Sequence, residues 1–414
     1  MSLGVPLADA ELSDITVEVG AVAHGGHCVA RHEGRVVFVR HALPGETVVA
    51  RLTEAGPTDS FWRADAVAVL EASPDRVASP WPEAGPGGVG GAELGHVSLP
   101  AQREWKLAVL RDSFERFAAT EFPGAVAAAP GDDERGGLHY RSRITATADA
   151  EGRAAMRAVR SHELRTLAAM PLATANAEAA LLGQRFPAGA EIAIVDPSAG
   201  DIFVTVDGVR WNAGKRDTRD NAAKRVRELV KVGDSEHTMV VDASGFWQVH
   251  VEAPSLLAAR VAQLAGSGAA AVELYSGAGL LTVGLADAFE LVVSVESDAD
   301  AVRAARRNLA GRDNVRVAQG DVRKSLRQGL GEHGVGHVDV VVLDPPRSGA
   351  GRETLAALAG LRPERVVYVA CDPVALARDT ALLSGHGYSL QHAEAWDLFP
   401  MTHHMEAIAV FERA

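Results

Sequence analysis

Three side chains capable of covalent or acid–base chemistry stand at the ends of apolar runs in the C-terminal part of the sequence. Cys371 follows the run VVYVA, Asp344 begins the rigid turn DPPR, and Glu406 opens the run AIAVF. A cysteine thiolate is a strong nucleophile, and a low thiol pKa at such a position would favour it. A carboxylate that opens an apolar strand is costly to bury unless it has a purpose such as general-base catalysis. We therefore expect Cys371 to be a nucleophile and Glu406 a base.

Two glycines and two carboxylates at other predicted strand ends indicate a nucleoside cofactor. Gly277 and Gly279 form a G-x-G turn between a strand and a helix, where backbone can approach a ligand closely. Glu296, about 20 residues further on, can accept both ribose hydroxyls, and Asp321 can meet the adenine amino group. A dinucleotide site would have a third glycine where this chain has Thr282. S-adenosylmethionine therefore fits better than a nicotinamide dinucleotide.

The elements that must position these residues alternate between strand and helix. Their strand cores are nearly continuous apolar runs, as in a parallel sheet covered by helices on both faces. Ligands of such sheets bind beyond the carboxyl ends of the strands. Residues 246–414 are therefore predicted to form a doubly wound, Rossmann-like α/β domain, with strands at 271–274, 291–295, 315–318, 338–343, 365–369 and 406–411.

The preceding sequence predicts two further domains. Residues 1–75 contain short strands separated by glycine and proline turns, which favours a small barrel of the oligonucleotide-binding type; a purely structural β-module is the alternative. Residues 76–245 have a mixed α+β pattern with an amphipathic helix at 101–118. The other predicted elements are strands at 15–19, 35–39, 47–52, 64–70, 140–147 and 201–209 and a helix at 173–182.

The formal net charge of −13 argues against indiscriminate nucleic-acid binding, which needs a basic surface. One segment, 210–231, reverses this balance with eight Arg or Lys against three Asp or Glu, and it includes Trp211, an aromatic able to stack on a base. A solvated charged face is the alternative interpretation. The residues predicted to contact RNA are Arg210, Lys215, Arg216, Arg219, Lys224 and Arg225.

Composition restricts the class of protein. Apolar residues make up 47% and charged residues 23% of the 414 residues, which is typical of globular proteins, and the length suggests two or three domains. Two cysteines exclude a disulfide framework and a metal site built only from cysteine. No uninterrupted apolar stretch of about 18 residues and no secretory leader is found, so we expect a cytosolic protein without a membrane span.

Together these motifs resemble the RNA uracil-5-methyltransferase family, which makes 5-methyluridine in tRNA or rRNA. The resemblance covers nearly the whole chain. Its N-terminal TRAM barrel is matched by GGHCVA at 25–30 and LPGE at 43–46, and the Asp-Pro-Pro-Arg turn, the Cys-Asp-Pro loop and the terminal His-x-Glu are present. It implies that Gln248 and Tyr275 contact S-adenosylmethionine together with Asp344 and the strand-end residues. It also implies that helix 101–118 packs with the catalytic domain, which would make the central domain discontinuous.

The resemblance implies a covalent mechanism. The thiolate of Cys371 would add to uracil C6, C5 would take the methyl group, and Glu406 would remove the C5 proton before the thiolate leaves. Asp344 would orient the uracil. The target uridine would have to flip out of its stack, at a cost of a few kcal/mol.

Two departures from the family pattern stand out. Many members hold a four-iron, four-sulfur cluster on four cysteines, whereas this chain has only Cys28 and Cys371, so we expect no cluster. The second departure is His250, where the family usually has asparagine. The positions aligned with the cluster cysteines are Trp81, Val89, Ala92 and Met170.

Two alternatives belong to other functional classes. A methyltransferase of the same fold acting on another substrate would have no need of Cys371 and Glu406 in this arrangement. A catalytically inactive RNA-binding relative would agree with the missing cluster cysteines and the acidic barrel, but it has no physical need for those two residues. The sequence does not name the RNA or the uridine, and we take a monomer as the default state.

Overall fold

The computed structural model of the chain describes residues 13–212 and 214–414. It divides into two compact units. The first comprises Met1–Val109, Arg157–Arg165 and Pro400–His403, and the second comprises Leu110–Met156, Thr166–Phe399 and His404–Ala414. Among the described residues, no helix has the length and apolar character needed to cross a membrane.

The first unit contains a closed five-stranded barrel with the strand order β1-β2-β3-β5-β4. Inward and outward side chains alternate, so that Val17, Val37, Val39 and Val48 fill its core. The β2 strand was not predicted; Gly25 and Gly26, both with positive φ, form the turn before it. The strands are β1 (Asp14–Ala23), β2 (His27–His32), β3 (Arg35–Arg40), β4 (Thr47–Glu54) and β5 (Phe61–Glu71).

A loop and a long helix follow the barrel strands. The loop includes a short 3-10 turn at Pro82–Ala84, and Trp81, Val89 and Ala92 are all buried. The three positions that the resemblance aligns with cluster cysteines therefore carry packed apolar side chains. The helix α1 (Leu99–Ala118) begins two residues before the predicted start and packs Trp105 against the barrel core. The short strand β6 (Val126–Ala128) follows it.

A seven-stranded sheet in the second unit has the order β13-β12-β11-β10-β7-β8-β9. The single strand predicted at 201–209 is wrong, because Asp207 and Gly208 both adopt positive φ and turn the chain into the hairpin β11–β12. Met170, the fourth aligned cluster position, is buried. The elements are β7 (Arg143–Ala148), β8 (Ala154–Arg157), β9 (Leu164–Thr166), α2 (Ala175–Leu182), β10 (Glu191–Val195), β11 (Phe203–Val206), β12 (Val209–Asn212) and β13 (Lys215–Arg216).

A two-stranded hairpin that was not predicted connects this sheet in sequence to the C-terminal sheet. It consists of β14 (Arg225–Val232) and β15 (Ser235–Asp242). One face is buried and packs Val230 and Met239 in a cluster with Trp247, while the opposite face of β14 exposes Arg225, Arg227 and Lys231. The apolar cluster fixes the start of the segment that carries Gln248.

The eight-stranded C-terminal sheet has the order β18-β17-β16-β19-β20-β22-β21-β6. Its first five strands are parallel, β22 is antiparallel to β20, and the strand order reverses between β16 and β19. The predicted doubly wound class is confirmed. The strands β21 and β6 were missed, because alternating patterns and three-residue edges give weak signals. The strands are β16 (Gly268–Leu274), β17 (Phe289–Glu296), β18 (Val315–Gln319), β19 (Val340–Leu343), β20 (Arg365–Ala370), β21 (Tyr388–Asp397) and β22 (Glu406–Arg413).

Helices alternate with the parallel strands. Three of them begin at an aspartate whose side chain accepts a hydrogen bond from a backbone N–H in the first turn: Asp298, Asp321 and Asp372. These caps place the helix starts directly after strand ends, at the edge where the candidate residues lie. The helices are α3 (Ala253–Ala265), α4 (Thr282–Leu285), α5 (Ala299–Asn308), α6 (Val322–Gln328), α7 (Gly351–Gly360) and α8 (Pro373–Gly385), with a 3-10 turn at Gly331–His333.

Candidate active site

The glycine turn after β16 is held by the carboxylate of Glu296. Its oxygens accept hydrogen bonds from the backbone N–H of Gly277 (2.9 Å), Ser297 (2.6 Å) and Asp298 (2.8 Å). Gly279 has φ +89°, and a Cβ there would lie 3.0 Å from a methyl carbon of Leu309. The predicted turn and acid are therefore brought together at one strand edge.

Tyr275 and Asp321 border a cleft of about 420 Å³ at the same edge. Tyr275 has φ +63°, a conformation that is unusual for a residue with a side chain and is frequent at functional sites. Asp321 caps α6 by accepting from the N–H of Lys324 (2.9 Å) and is exposed beside the cleft. A cleft of this size accommodates a nucleoside. The start of α7 contributes the opposite wall, with Ala350, Gly351 and Thr354 among the lining residues.

Two side chains that sequence reasoning missed anchor that wall. The buried Asp379 carboxylate accepts hydrogen bonds from the Tyr368 hydroxyl (2.6 Å) and the N–H of Ala350 (2.7 Å). Gly349, with φ +83°, lies against the same carboxylate, and a Cβ there would be 2.8 Å from its oxygen. A polar residue inside the apolar face of α8 was the available signal. The loop after the DPPR turn is therefore held in place by its hydrogen bond to the buried Asp379 carboxylate.

Cys371 and Glu406 come from neighbouring antiparallel strands. In the register of β20 and β22, Ala370 pairs with Ala407, so the next position on each strand brings Cys371 beside Glu406. Asp344 follows β19, the parallel neighbour of β20, at the same edge. Glu406 is buried, whereas Cys371 and Asp344 are half-buried. The structure thus gathers the three predicted chemical residues.

The electrostatics of this group differ from the sequence expectation. Burial chiefly, together with the nearby carboxyls of Glu406 and Asp344, raises the pKa of the Cys371 thiol to about 12 against the opposing charge of Arg347. The low thiol pKa that would favour the nucleophile is therefore not found here. Burial chiefly, with the nearby Asp344 carboxyl, raises the pKa of Glu406 well above its ordinary value. Burial also raises the pKa of Asp344 to about 7. At neutral pH the Cys371 side chain is accordingly a thiol.

Gln248 lies in the segment between β15 and α3. Its neighbour Trp247 is buried in an apolar cluster, and Gln248 itself is largely buried. Phe246, on the other side of Trp247, leaves 81% of its surface exposed, and sequence reasoning did not single it out. An exposed aromatic two residues from the candidate cofactor residue offers a stacking surface for a base.

The predicted RNA-contact segment contains several neutralised charges. The Trp211 indole is buried and donates to the Gln184 side chain at 3.0 Å, so its face is not offered to a base. The Arg210 guanidinium lies 3.9 Å from the centre of the Phe203 ring. Lys215 and Lys224 are exposed. The ion pairs in this region are Arg216 with Asp207, Arg219 with Asp217 at 2.6 Å, and Arg225 with Asp242 at 3.5 Å.

Comparison with known proteins identifies the family. The family model described as tRNA (Uracil-5-)-methyltransferase matches residues 221–414, and the TRAM domain model matches residues 12–65. An uncharacterized RNA methyltransferase of Streptomyces avermitilis is 39% identical, with 96% of this chain and 98% of that protein covered. A 23S rRNA (uracil(1939)-C(5))-methyltransferase of Shewanella amazonensis is 31% identical, with 96% and 95% covered.

The fold has a close counterpart of known structure. The tRNA (uracil-54, C5)-methyltransferase of Pyrococcus abyssi, solved with S-adenosyl-L-homocysteine, superposes with a TM-score of 0.69 at 19% identity. The alignment covers 95% of this chain and 99% of that one. At this identity the likeness shows the fold alone.

The barrel followed by a doubly wound sheet defines a TRAM-containing methyltransferase of the Rossmann-like class. The chain belongs to the RNA uracil-5-methyltransferase family. The predicted family, fold class and enzyme class are thereby confirmed: the protein is an RNA methyltransferase that depends on S-adenosylmethionine.

Proposed function

We propose that this protein methylates C5 of a uridine in ribosomal or transfer RNA, with Cys371 as the nucleophile and Glu406 as the general base. The observation that carries the proposal is the strand register that brings a thiol and a buried carboxyl side by side at the ligand-binding edge of the sheet. Methylation at nitrogen or oxygen has no use for such a pair, because those atoms already carry a lone pair. Carbon 5 of uracil does not.

The steps follow from the chemistry of the pyrimidine ring. The sulfur of Cys371 forms a bond to C6, and the C5=C6 electron pair moves into an enolate that makes C5 nucleophilic. C5 would then attack the methyl carbon of the sulfonium, so that the carbon–sulfur bond breaks and a neutral thioether leaves. Glu406 accepts the C5 proton, the C6–S bond breaks, and the double bond re-forms with the thiolate as leaving group. Asp344, at the end of β19, lies where it can orient the uracil.

The raised pKa values set a requirement for this chemistry. A thiol with a pKa of about 12 is almost wholly protonated at neutral pH, and the raised pKa of Glu406 disfavours its carboxylate, the form that can act as a base. A cation placed beside these groups lowers their pKa values. The sulfonium of the methyl donor supplies that cation, in addition to the guanidinium of Arg347. Cofactor binding and activation of the nucleophile are thus linked.

The cofactor residues lie on the other half of the same edge. The glycine turn and its carboxylate anchor fit a ribose, and the cleft beside α6 and α7 fits an adenine. The resemblance to the family assigns Gln248 to the cofactor contacts. The full set proposed to contact the cofactor is Gln248, Tyr275, Gly277, Gly279, Glu296, Asp321 and Asp344.

The experiment that tests the proposal is mass spectrometry of the protein mixed with S-adenosylmethionine and total RNA containing 5-fluorouridine. Fluorine at C5 cannot leave as a proton, so the enzyme remains bonded to RNA through Cys371. The matched control uses the other cysteine, Cys28, which is buried in the barrel and whose pKa burial raises. Cys371→Ala should abolish the adduct, and Cys28→Ala should retain it.

The outcomes separate the alternatives. Sequencing the trapped RNA names the target and decides between ribosomal and transfer RNA. Methyl transfer without any adduct, in RNA that contains the preferred site, would contradict the covalent mechanism and favour a different methylated atom. Neither adduct nor transfer with both rRNA and tRNA present would favour an inactive RNA-binding relative.

The proposed RNA contacts can be ranked by their ion pairs. The charge of Arg219 is already neutralised by Asp217, whereas Lys224 is exposed on the same segment. We therefore expect Lys224→Glu to weaken RNA binding and to lower the slope of log affinity against log salt by roughly 1, as for loss of one phosphate contact. Arg219→Glu serves as the matched charge reversal and should have the smaller effect. If the two charge reversals have equal effects, or if Lys224→Glu has none, the ranking is wrong. If neither variant changes RNA binding, the segment is not an RNA-binding surface. The segment as proposed comprises Arg210, Lys215, Arg216, Arg219, Lys224 and Arg225.

A further inference from the structure

A buried polar cluster surrounds His250, two residues beyond Gln248. His250 and Asp132 are each 1% exposed, and Tyr140 is fully buried. The Tyr140 ring stacks on the imidazole, with centroids 5.1 Å apart and planes 19° from parallel. Removing polar groups from water costs free energy, so buried polar groups are normally hydrogen-bonded. The contacts of the imidazole therefore decide what the cluster does.

The two ring nitrogens of His250 have different partners. The backbone N–H of Glu252 donates to Nδ1 at 3.0 Å, so Nδ1 is the unprotonated nitrogen. Nε2 then carries the hydrogen and donates to the carboxylate of Asp132, at 3.0 Å from the nearer oxygen. The other oxygen of Asp132 accepts from the Arg135 guanidinium at 2.7 Å. His250 thus connects the start of α3 to a loop more than a hundred residues earlier in the sequence.

The backbone around His250 is tied to the same loop on both sides. The N–H of Val251 donates to the Tyr140 carbonyl at 2.9 Å, and the N–H of Ser142 donates to the Val249 carbonyl at 2.8 Å. Upstream, Trp247 is buried in its apolar cluster. Gln248 therefore lies between the packed indole of Trp247 and a backbone segment that is hydrogen-bonded to the earlier loop. The His250 side chain adds a further bond between that segment and the loop.

We propose that His250 is a positioning residue that holds Gln248 in place for the cofactor through its bond to Asp132. The inference rests on the proposed role of Gln248. The imidazole does two things at once. Its Nδ1 accepts from the N–H two residues on, which is what an asparagine oxygen does in an Asx turn, and its longer reach adds the bond from Nε2 to Asp132. This accounts for histidine at a position where the family usually has asparagine.

The substitution His250→Asn separates the two contacts, because asparagine can keep the turn to Glu252 but is too short to reach Asp132. His250→Ala removes both. We expect His250→Asn to weaken the affinity for S-adenosylhomocysteine, measured by calorimetry, by about threefold to tenfold, the value of one hydrogen bond, and His250→Ala by more. The KM for S-adenosylmethionine should rise in parallel while kcat and RNA affinity stay near those of the wild type.

A double-mutant cycle tests the link to Asp132. Asp132→Asn alone should weaken cofactor binding, and in the His250→Asn background it should add little, because the link is already broken. Arg135→Gln is the control for the other partner of Asp132. Additive effects of the two substitutions would overturn the inference. So would a loss of RNA affinity and thermal stability that parallels the loss of cofactor affinity, since that is the result of a general folding defect.

The variant Gln248→Ala separates failure of this inference from failure of the proposed function. If Gln248→Ala weakens cofactor binding and His250→Ala does not, only the positioning role is overturned. If Gln248→Ala leaves cofactor affinity unchanged, the assignment of Gln248 to the cofactor fails, and the inference fails with it. The tautomer gives an independent readout: the nitrogen-15 spectrum of His250 should show a protonated Nε2 at neutral pH, and a protonated Nδ1 would contradict the hydrogen-bond pattern.

Discussion

The two halves of the candidate site differ in how they stabilise their acidic groups. On the cofactor half, the Glu296 carboxylate receives three backbone N–H groups and Asp321 caps a helix, so both anions have partners before a ligand arrives. On the chemical half, Glu406 and Asp344 are placed together with the Cys371 thiol, and burial raises all three pKa values. One half is preorganised, and the other requires a positive charge that the protein supplies only in part.

This difference has a physical rationale. A binding surface for a neutral ribose and adenine benefits from fixed polar groups, because ordering them in advance lowers the entropy cost of binding. A nucleophile that stayed ionised without its substrates would be exposed to oxidation and to unwanted alkylation. Under the proposed mechanism, suppressing the thiolate until the sulfonium arrives would confine reactivity to the ternary complex. The comparison predicts that substitutions in the two halves will have separable kinetic effects.

The largest expected effect comes from Glu406→Gln. Without a base to remove the C5 proton, the methylated intermediate should remain bonded to Cys371, so an adduct with ordinary uridine RNA should accumulate. Turnover should fall by roughly 100-fold to 10,000-fold, the usual contribution of general-base catalysis, with little change in KM for the cofactor. The measurement is steady-state methylation together with denaturing gel electrophoresis. A Glu406→Gln enzyme that turns over normally and forms no adduct would refute the assigned base.

The matched change on the cofactor half is Glu296→Gln. It keeps one acceptor oxygen for the turn but removes the charge that three N–H groups share. We expect KM for S-adenosylmethionine to rise about tenfold, in line with the loss of a charged hydrogen bond, with kcat changed little. A fall in kcat at unchanged KM would break the proposed division of the site.

An intermediate effect concerns the pH dependence of thiol reactivity. With a thiol pKa of about 12, the thiolate fraction of Cys371 in the unliganded enzyme should rise about tenfold per pH unit between pH 7 and 9 without a plateau. Alkylation by iodoacetamide, followed by peptide mass spectrometry, measures this. Sinefungin, which carries a cationic amine, should accelerate alkylation relative to S-adenosylhomocysteine, which occupies the same site without that cation.

Arg347→Gln is the control variant for that experiment, because the guanidinium is the charge that lowers the thiol pKa in the unliganded enzyme. It should slow alkylation at every pH. A plateau with a midpoint near pH 8 in the unliganded wild type would show that burial does not suppress the thiolate, and the contrast between the two halves would be lost.

The last expected effect concerns stability rather than activity. Glu273, buried in β16, has its pKa raised to about 8 chiefly by burial, which the hydrogen bond from Thr282 partly offsets. The folded protein therefore keeps a proton that the unfolded chain loses above its ordinary pKa. This contribution is fully present below pH 4.5 and is lost as pH rises towards 8.

The corresponding test is Glu273→Gln, measured by urea unfolding between pH 5 and 8. The wild type should lose stability relative to this variant by up to about 1.4 kcal/mol per pH unit, since one proton separates the two states. Parallel pH profiles for the two proteins would mean that Glu273 is ionised in the folded state.

Much of the arrangement could be read from the sequence because its signals are local. The run VVVL before Asp344 and the run VVYVA before Cys371 are typical of buried parallel strands, and ligands of such sheets lie where those runs end. The same reasoning failed at 201–209, where Asp207 and Gly208 turn an apparent strand into a hairpin. It also missed β6, because a three-residue strand has too few residues to show a pattern.

Charge pattern was the least informative signal, because pairing depends on residues distant in sequence or across a strand. The segment 210–231 looked uniformly basic, yet Arg216 pairs with Asp207 and Arg225 with Asp242 on the neighbouring strand. Trp211, selected as a stacking aromatic, lies in the interior instead. The exposed aromatic near the site is Phe246, whose exposure follows from the packing of its neighbour Trp247.

The sequence by itself determined the type of sheet, the strand ends that carry chemistry, the residue types that meet there and, with only two cysteines, the exclusion of a four-cysteine cluster. These are properties of single positions and of local periodicity. The tertiary structure alone decided that Cys371 is held as a thiol and that His250 reaches Asp132. Both depend on burial and on distances between residues far apart in the chain. The pKa of a group and the strength of a hydrogen bond are set by that environment.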